Sequence, residues 1–276
     1  MKKIVLFTIY SCLSFILYSN SNSEEYRENL NYSGIGQLNI SMSSGNLEIV
    51  TEDREDIYLY LKTFKNGPMI FIDKGNKTKI DIRRSTFKLF SFYNGDVKLM
   101  VVLPKKYTQG LELNLSSGDI SAKNLVIEDF NISLSSGSLF LDNIITKNAD
   151  FNASSGSMDI TNLFTNNTKV GISSGSLFVN GFTGNLTGRL SSGDVDLYTD
   201  KIKGDIDFKI SSGDFNLFIV DKNLDAKFEL KTSSGSIKVK YPVTIEDNNN
   251  NKLYGYTGSG KTLISVKSSS GNIFIE

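Results

Sequence analysis

The chain has 276 residues, enough for one large domain or two small ones, so length alone does not settle its organisation. Lys plus Arg and Asp plus Glu stand at 30 each, which excludes the strong basic excess of a nucleic-acid binder. With no His, no Trp and one Cys, Cys12, the inventory excludes His-based triads, cysteine nucleophiles and ordinary zinc sites, and leaves carboxylates, Lys, Arg, Tyr and hydroxyls for any chemistry.

Residues 1–23 read "MKKIVLFTIYSCLSFILYSNSNS": two lysines, an apolar run from Ile4 to Leu17, then small polar residues. Ser19 and Ser21, or Ser21 and Ser23, suit the −3 and −1 cleavage positions. This predicts a secretory signal peptide and export to the periplasm, the cell surface or the medium. A competing reading makes Cys12 the lipid-modified residue of a lipoprotein, although "LSFILY" continues the apolar run after it. If Cys12 leaves with the signal, the mature chain has no cysteine and depends on no disulfide. No later segment reaches the roughly 20 apolar residues needed to cross a bilayer as a helix.

Residues 24–105 are expected to hold a first coil and an N-terminal β cap. A Ser-Ser-Gly ending at Gly45 is separated by 73 residues from the next, at Gly118. The insert carries the strand-like runs "DIYLYLKTF", "MIFIDKGNKTKIDIRR" and "VKLMVVLP", broken at Asn66-Gly67-Pro68, Gly75-Asn76 and Asn94-Gly95. Wider coils or hairpins there would cap one end of a repeat array. The aromatic run from Phe87 to Tyr93 is expected as a cap strand on the core, the alternative being insertion into a partner or lipid headgroups. The cations between Lys74 and Lys88 read as a solvated cap surface.

Residues 106–276 are dominated by one repeat. Ser-Ser-Gly occurs nine times, its glycines at Gly45, Gly118, Gly137, Gly156, Gly175, Gly193, Gly213, Gly235 and Gly271. From Gly118 to Gly235 the steps are 19, 19, 19, 18, 20 and 22 residues. The residues two and four past every glycine are apolar, from Leu47 and Ile49 to Ile273 and Ile275. Five before, only Gly188 departs from an apolar series that runs from Ile40 to Val266. Each flank alternates with period two, as a half-buried strand does. The two buried sets are an odd number of residues apart, so the chain must turn or bulge at each Ser-Ser-Gly. Glycine accepts the positive φ of such a corner, and serine hydroxyls can serve the freed backbone groups. Asn124-Leu125, Asn143-Ile144 and Asn162-Leu163 mark a second corner followed by another inward residue. The expected fold is all-β: a single-stranded parallel β-solenoid with coils of about 19 residues stacked at about 4.8 Å, forming one continuous domain with residues 24–105.

Stacked coils turn equivalent residues into columns. Three residues past the glycines, Phe140, Asp159, Phe178 and Asp196 should alternate along one outward face, a surface suited to stacking sugars or anchoring a protein. Its plain alternative is a solvated sheet. Asp194, Asp196 and Asp214 should fall on adjacent coils, as solvated surface, as a weak Ca²⁺ site or as a catalytic acid pair. No other cofactor is implied.

The stretch from Gly255 to Thr262, "GYTGSGKT", fits the phosphate-loop pattern G-x-x-x-x-G-K-[ST]. A phosphate loop must open a helix. Here Ile264 and Val266 fall seven and five residues before Gly271, in register with the buried positions of the other coils, so a strand follows. The motif reads as a glycine-rich turn that returns the chain to its final coil, with no nucleotide bound.

The run from Val97 to Leu125, "VKLMVVLPKKYTQGLELNLSSGDISAKNL", followed by serial "SSGD" and "SSGS" and a closing "SSGNIFIE", resembles a bacterial family of secreted β-strand-repeat domains regarded as candidate adhesins. The resemblance covers about Leu38 to Glu276. It implies a parallel β-solenoid and an extracytoplasmic location, and brings no catalytic residues. The leading expectation is a non-enzymatic binding, adhesion or scaffold surface at the cell envelope, with a protein or glycan partner. The alternatives are a β-helix polysaccharide lyase or hydrolase using clustered aspartates, and an envelope-stress accessory that binds a membrane protein.

Overall fold

A computed structural model of the chain describes residues 15–17, 23–83, 96–249 and 251–276. The described residues form strands and no helix. The strands Ile120–Ser136, Leu139–Ser155, Met158–Ser174 and Leu177–Ser192 each take most of one repeat. Neighbours run parallel, with Ile120 opposite Leu139, Leu139 opposite Met158 and Met158 opposite Leu177. One repeat is therefore one coil, as a parallel β-solenoid requires.

The corners follow from backbone chemistry. Every marker glycine has a positive φ, from 109° at Gly45 to 146° at Gly235. A Cβ on Gly156 would overlap the carbonyl of Gly137 directly beneath it, so position and conformation both demand glycine. The second corner uses Asn124, Asn143 and Asn162, with φ of 55°, 56° and 55°, and Gly181 takes the same place in the next coil. Asparagine tolerates this left-handed region and its amide adds a bond between coils: Asn143 Nδ2 donates to Asn124 Oδ1 at 2.8 Å.

A third corner, which the spacing argument did not identify, lies near Asp129. Leu125, Ile127 and Phe130 are all buried, and the odd step from Ile127 to Phe130 forces another turn. Asn148 Nδ2 donates there to Asp129 Oδ1 at 2.9 Å, Asn167 to Asn148 at 3.3 Å and Asn185 to Asn167 at 3.1 Å. The Thr146 hydroxyl bridges the carbonyls of Glu128 and Asn148. Each coil thus presents three short outward faces around one core.

That core is built from the anticipated positions. Leu139, Leu141, Phe151, Ile160, Leu177, Val195, Phe208, Phe215 and Leu217 are buried, and each such side chain contributes roughly 1.5–3 kcal/mol relative to exposure. The exception at Gly188 has a cause. The Phe208 ring of the next coil occupies the space where its side chain would stand. Phe130 and Phe151 pack edge to face, with centroids 5.5 Å apart. At the C-terminal end Ile237 and Val239 are only partly buried, because no further coil covers them.

Stacking in chain order is corrected at both ends. The last coil, Thr262–Ser270 with Ile273–Ile275, inserts between the Gly213 and Gly235 coils. Val266 accordingly lies opposite Phe208 on one side and Leu230 on the other. The turn around Gly258 therefore returns the chain to an internal position in the stack. The antiparallel strands Lys252–Thr257 and Thr244–Asn249 close this end beyond Ala226–Ser234.

The insert between Gly45 and Gly118 is partly coil and partly hairpin. Lys77–Arg83 and Lys98–Pro104 pair in parallel with Gln37–Met42 and Asn46–Glu52, forming a coil ahead of Gly45. Ser23–Leu30, Ile57–Phe64 and Met69–Asp73 add antiparallel edges. The run from Phe87 to Tyr93, with Arg84 and Lys88, lies outside the described residues, as do Cys12 and most of residues 1–23. Phe15–Leu17 pairs antiparallel with Ser23–Leu30.

Candidate binding face

The outward face just past the Ser-Ser-Gly corner carries the anticipated column. Phe140 lies opposite Asp159, Asp159 opposite Phe178 and Phe178 opposite Asp196. Beyond them come Asn216, Phe274 and Lys238. Phe140 and Phe178 are 45% and 38% exposed, more than a large apolar side chain has where a neighbour covers it. Asp159 is exposed and joins no ion pair among the described residues.

Two further aromatics, absent from the sequence reading, extend this column. Tyr198 and Phe218 stand five residues past Gly193 and Gly213, two positions along the same outward face. Tyr198 stacks on Phe218 with centroids 4.6 Å apart and planes 12° from parallel. Phe178 leans on Tyr198 at 5.5 Å, and Phe218 meets Phe274 at 5.7 Å. Four rings therefore run continuously across coils far apart in sequence. The signal was available, since the register that places position three also places position five. Beside the rings an open depression of about 390 Å³ is lined by Asn180, Tyr198, Asp200, Phe218, Val220 and Glu276. Lys240 closes the far end, 5.2 Å from the Phe274 ring and 2.7 Å from Glu276 Oε1.

The aspartates do other work. Asp194 Oδ1 accepts the Asp214 backbone N–H at 2.9 Å, and Asp214 Oδ1 accepts that of Asn272 at 2.7 Å. Asp119 holds Ser138 in the same way at 2.8 Å. The residue after the glycine is at these positions a rung that ties its coil to the next. Asp196 instead accepts a 2.8 Å bond from Asn216 Nδ2 on the outward face. Among the described residues no group of three or more His, Cys, Asp or Glu is placed to hold a metal ion.

The Toastrack DUF4097 family model matches residues 35–276, which span all nine marker glycines and the insert. The chain belongs to the Toastrack DUF4097 family. Two solved structures are similar to it. A candidate cell-adhesion protein from Clostridium sporogenes is 15% identical over 92% of this chain and 98% of its own, with a TM-score of 0.28. A candidate adhesin from Bacteroides fragilis is 12% identical over 94% of this chain and 98% of its own, with a TM-score of 0.49. No curated protein matches the chain.

In this Toastrack chain the Gly255–Thr262 motif is a closed anion site whose anion is internal. The strand Lys252–Thr257 lies outside Ala226–Ser234 and Thr262–Ser270 lies inside it, so the turn between them must cross the start of Ala226–Ser234. Asp225 stands at that crossing. Its Oδ1 accepts the backbone N–H of Ser259 at 2.7 Å and of Lys261 at 3.1 Å, and its Oδ2 accepts the Ser259 hydroxyl at 2.9 Å. Gly258 and Gly260 supply the positive φ values, 61° and 71°, that turn these amides inward. The Lys261 amide, followed by the Ser259 hydroxyl, holds the Asp225 carboxyl below the ordinary aspartate range. The Thr257 hydroxyl fastens the same turn to the Leu224 carbonyl. A strand follows the motif, as the register of Ile264 and Val266 requires.

Proposed function

We propose that this Toastrack chain is an exported, non-enzymatic β-solenoid that serves as a binding or scaffold surface at the bacterial cell envelope. The observation that carries this reading is the aromatic column Phe178, Tyr198, Phe218 and Phe274, its first two rings exposed and its last two half-buried, with Phe140 exposed on the same face. Exposed aromatics on a rigid sheet bind with little ordering cost, because the backbone beneath them is already fixed by coil-to-coil bonds. Carboxylates and amides interleave with the rings, which suits a protein or glycan partner that offers both apolar and polar groups. The apolar N-terminal run after Lys2 and Lys3 supports export.

The test is retention on envelope fractions by the purified chain and by Phe140→Ala/Phe178→Ala. Both side chains point outward, so the double variant keeps its melting temperature and loses retention. Full retention by a folded double variant would remove this face from the account.

A further inference from the structure

We propose that a second outward face, on the sheet that precedes the Ser-Ser-Gly corner, binds a linear anionic polysaccharide laid along the solenoid axis. Four residues before successive glycines the stacked coils place Arg189 opposite Lys209, Lys209 opposite Lys267, Lys267 opposite Lys231, and Lys231 opposite Lys252. Five cations thus occupy five adjacent strands, four steps of about 4.8 Å or roughly 19 Å end to end. Arg189, Lys209, Lys267 and Lys231 are exposed and Lys252 is half-buried. None of the five forms an ion pair among the described residues.

Like charges directly opposite each other on a sheet destabilise it, and the rest of this surface relieves them only in part. In the outward column two residues earlier on these strands stand Asp207 and, on the edge strand beyond Tyr254, Asp247, neither in an ion pair among the described residues, and Glu229, whose carboxylate is engaged by Lys227 at 2.8 Å. On the other side the column is serine, from Ser191 to Ser269. Two free carboxylates, Asp207 and Asp247, against five cations leave a linear positive row that a polymer with regularly spaced negative charges would neutralise.

The class of polymer follows from what adjoins the row. Beyond Arg189 the column continues as Gly171, Asn152 and Ser133, beside a polar depression of about 480 Å³. Its lining is mainly serine hydroxyl, the Asn152 amide and the Arg189 guanidinium, with Leu134, Ala153 and Ile172 between them and no aromatic ring. Single-stranded nucleic acid is held by a series of aromatic stacking platforms as well as charge; the depression offers none and the row only the half-buried Tyr254, beside Lys252 at one end. Hydroxyl and amide groups beside a row of cations match the hydroxyls and carboxylates of an acidic sugar chain. This inference uses a different face of the coils from the aromatic column and stands or falls separately.

The test compares polygalacturonate, neutral dextran, single-stranded DNA and anionic phospholipid vesicles as probes for the purified chain and for Lys209→Ser/Lys267→Ser/Lys231→Ser. The expected result is binding to polygalacturonate that weakens as salt rises, no binding to dextran, and a loss on the order of tenfold in the triple variant. Relief of like-charge contact should also raise the triple variant's melting temperature at low salt, which separates lost binding from lost folding. Phe140→Ala/Phe178→Ala should bind polygalacturonate like the parent chain. Polygalacturonate binding that is absent or unchanged in the triple variant, or stronger binding to DNA or vesicles, would overturn the proposal.

Discussion

At the scale of the residue, the account rests on positions where side-chain chemistry leaves no choice. Gly156→Ala must adopt a positive φ of 122° and force a methyl group into the Gly137 carbonyl, so it should destabilise by more than ~1 kcal/mol in urea unfolding. Gly188 and Phe208 are a complementary pair across adjacent coils. Gly188→Ala alone and Phe208→Ala alone should each destabilise, the latter by about 3–5 kcal/mol. The double variant should cost less than their sum, with a coupling of roughly 0.5–3 kcal/mol in a double-mutant cycle. Asp225 gives a pH prediction with a definite sign. Its carboxyl titrates lower when folded, so its contribution is present above the unfolded aspartate pKa and is lost as pH falls through the lowered folded value. Protease sensitivity of residues 257–262 should rise only below the ordinary aspartate range, and Asp225→Ala should be sensitive already at neutral pH. The phosphate-loop motif was legible as a pattern. Its partner was not, because Asp225 lies 34 residues before Ser259 and reaches it through a strand order that local sequence does not encode.

At the scale of the element, the coil was readable because burial has period two and corners reset its phase. Leu139, Leu141 and Phe151 predict their own burial, and Asn124, Asn143 and Asn162 mark a corner that the backbone then confirms. The third corner was equally present in the step from Ile127 to Phe130, although no repeated tripeptide announces it. Stack order is different in kind. Nothing in the 36 residues between Gly235 and Gly271 says that the later coil sits inside the earlier one; that choice is made by long-range pairing. It has a measurable consequence. Ile264 and Val266 are buried and paired on both sides, so their amides should exchange with solvent as slowly as that of Ile132. Thr244–Asn249 is exposed throughout and should exchange fast. Rapid exchange at Val266, like a frayed terminus, would contradict the inserted order.

At the scale of the whole molecule, a solenoid converts sequence repeats into parallel columns, so a surface is specified one residue per coil. The Phe140, Asp159, Phe178 and Asp196 column could be read before the structure because those coils stack in chain order. The cation row could not, since Lys267 becomes the neighbour of Lys209 only after the last coil is inserted. Residues that look scattered along the chain thereby become two continuous outward faces on a core held by glycine, asparagine and aspartate ladders. The most direct test of the binding role is photo-crosslinking in intact producing cells, with a photoreactive residue in place of Phe140, Phe178 or Tyr198, and of Lys147 on the third face as a control. The account predicts a discrete crosslinked product from the three aromatic positions and none from position 147. No product from any of the three, or the same products from all four, would contradict it.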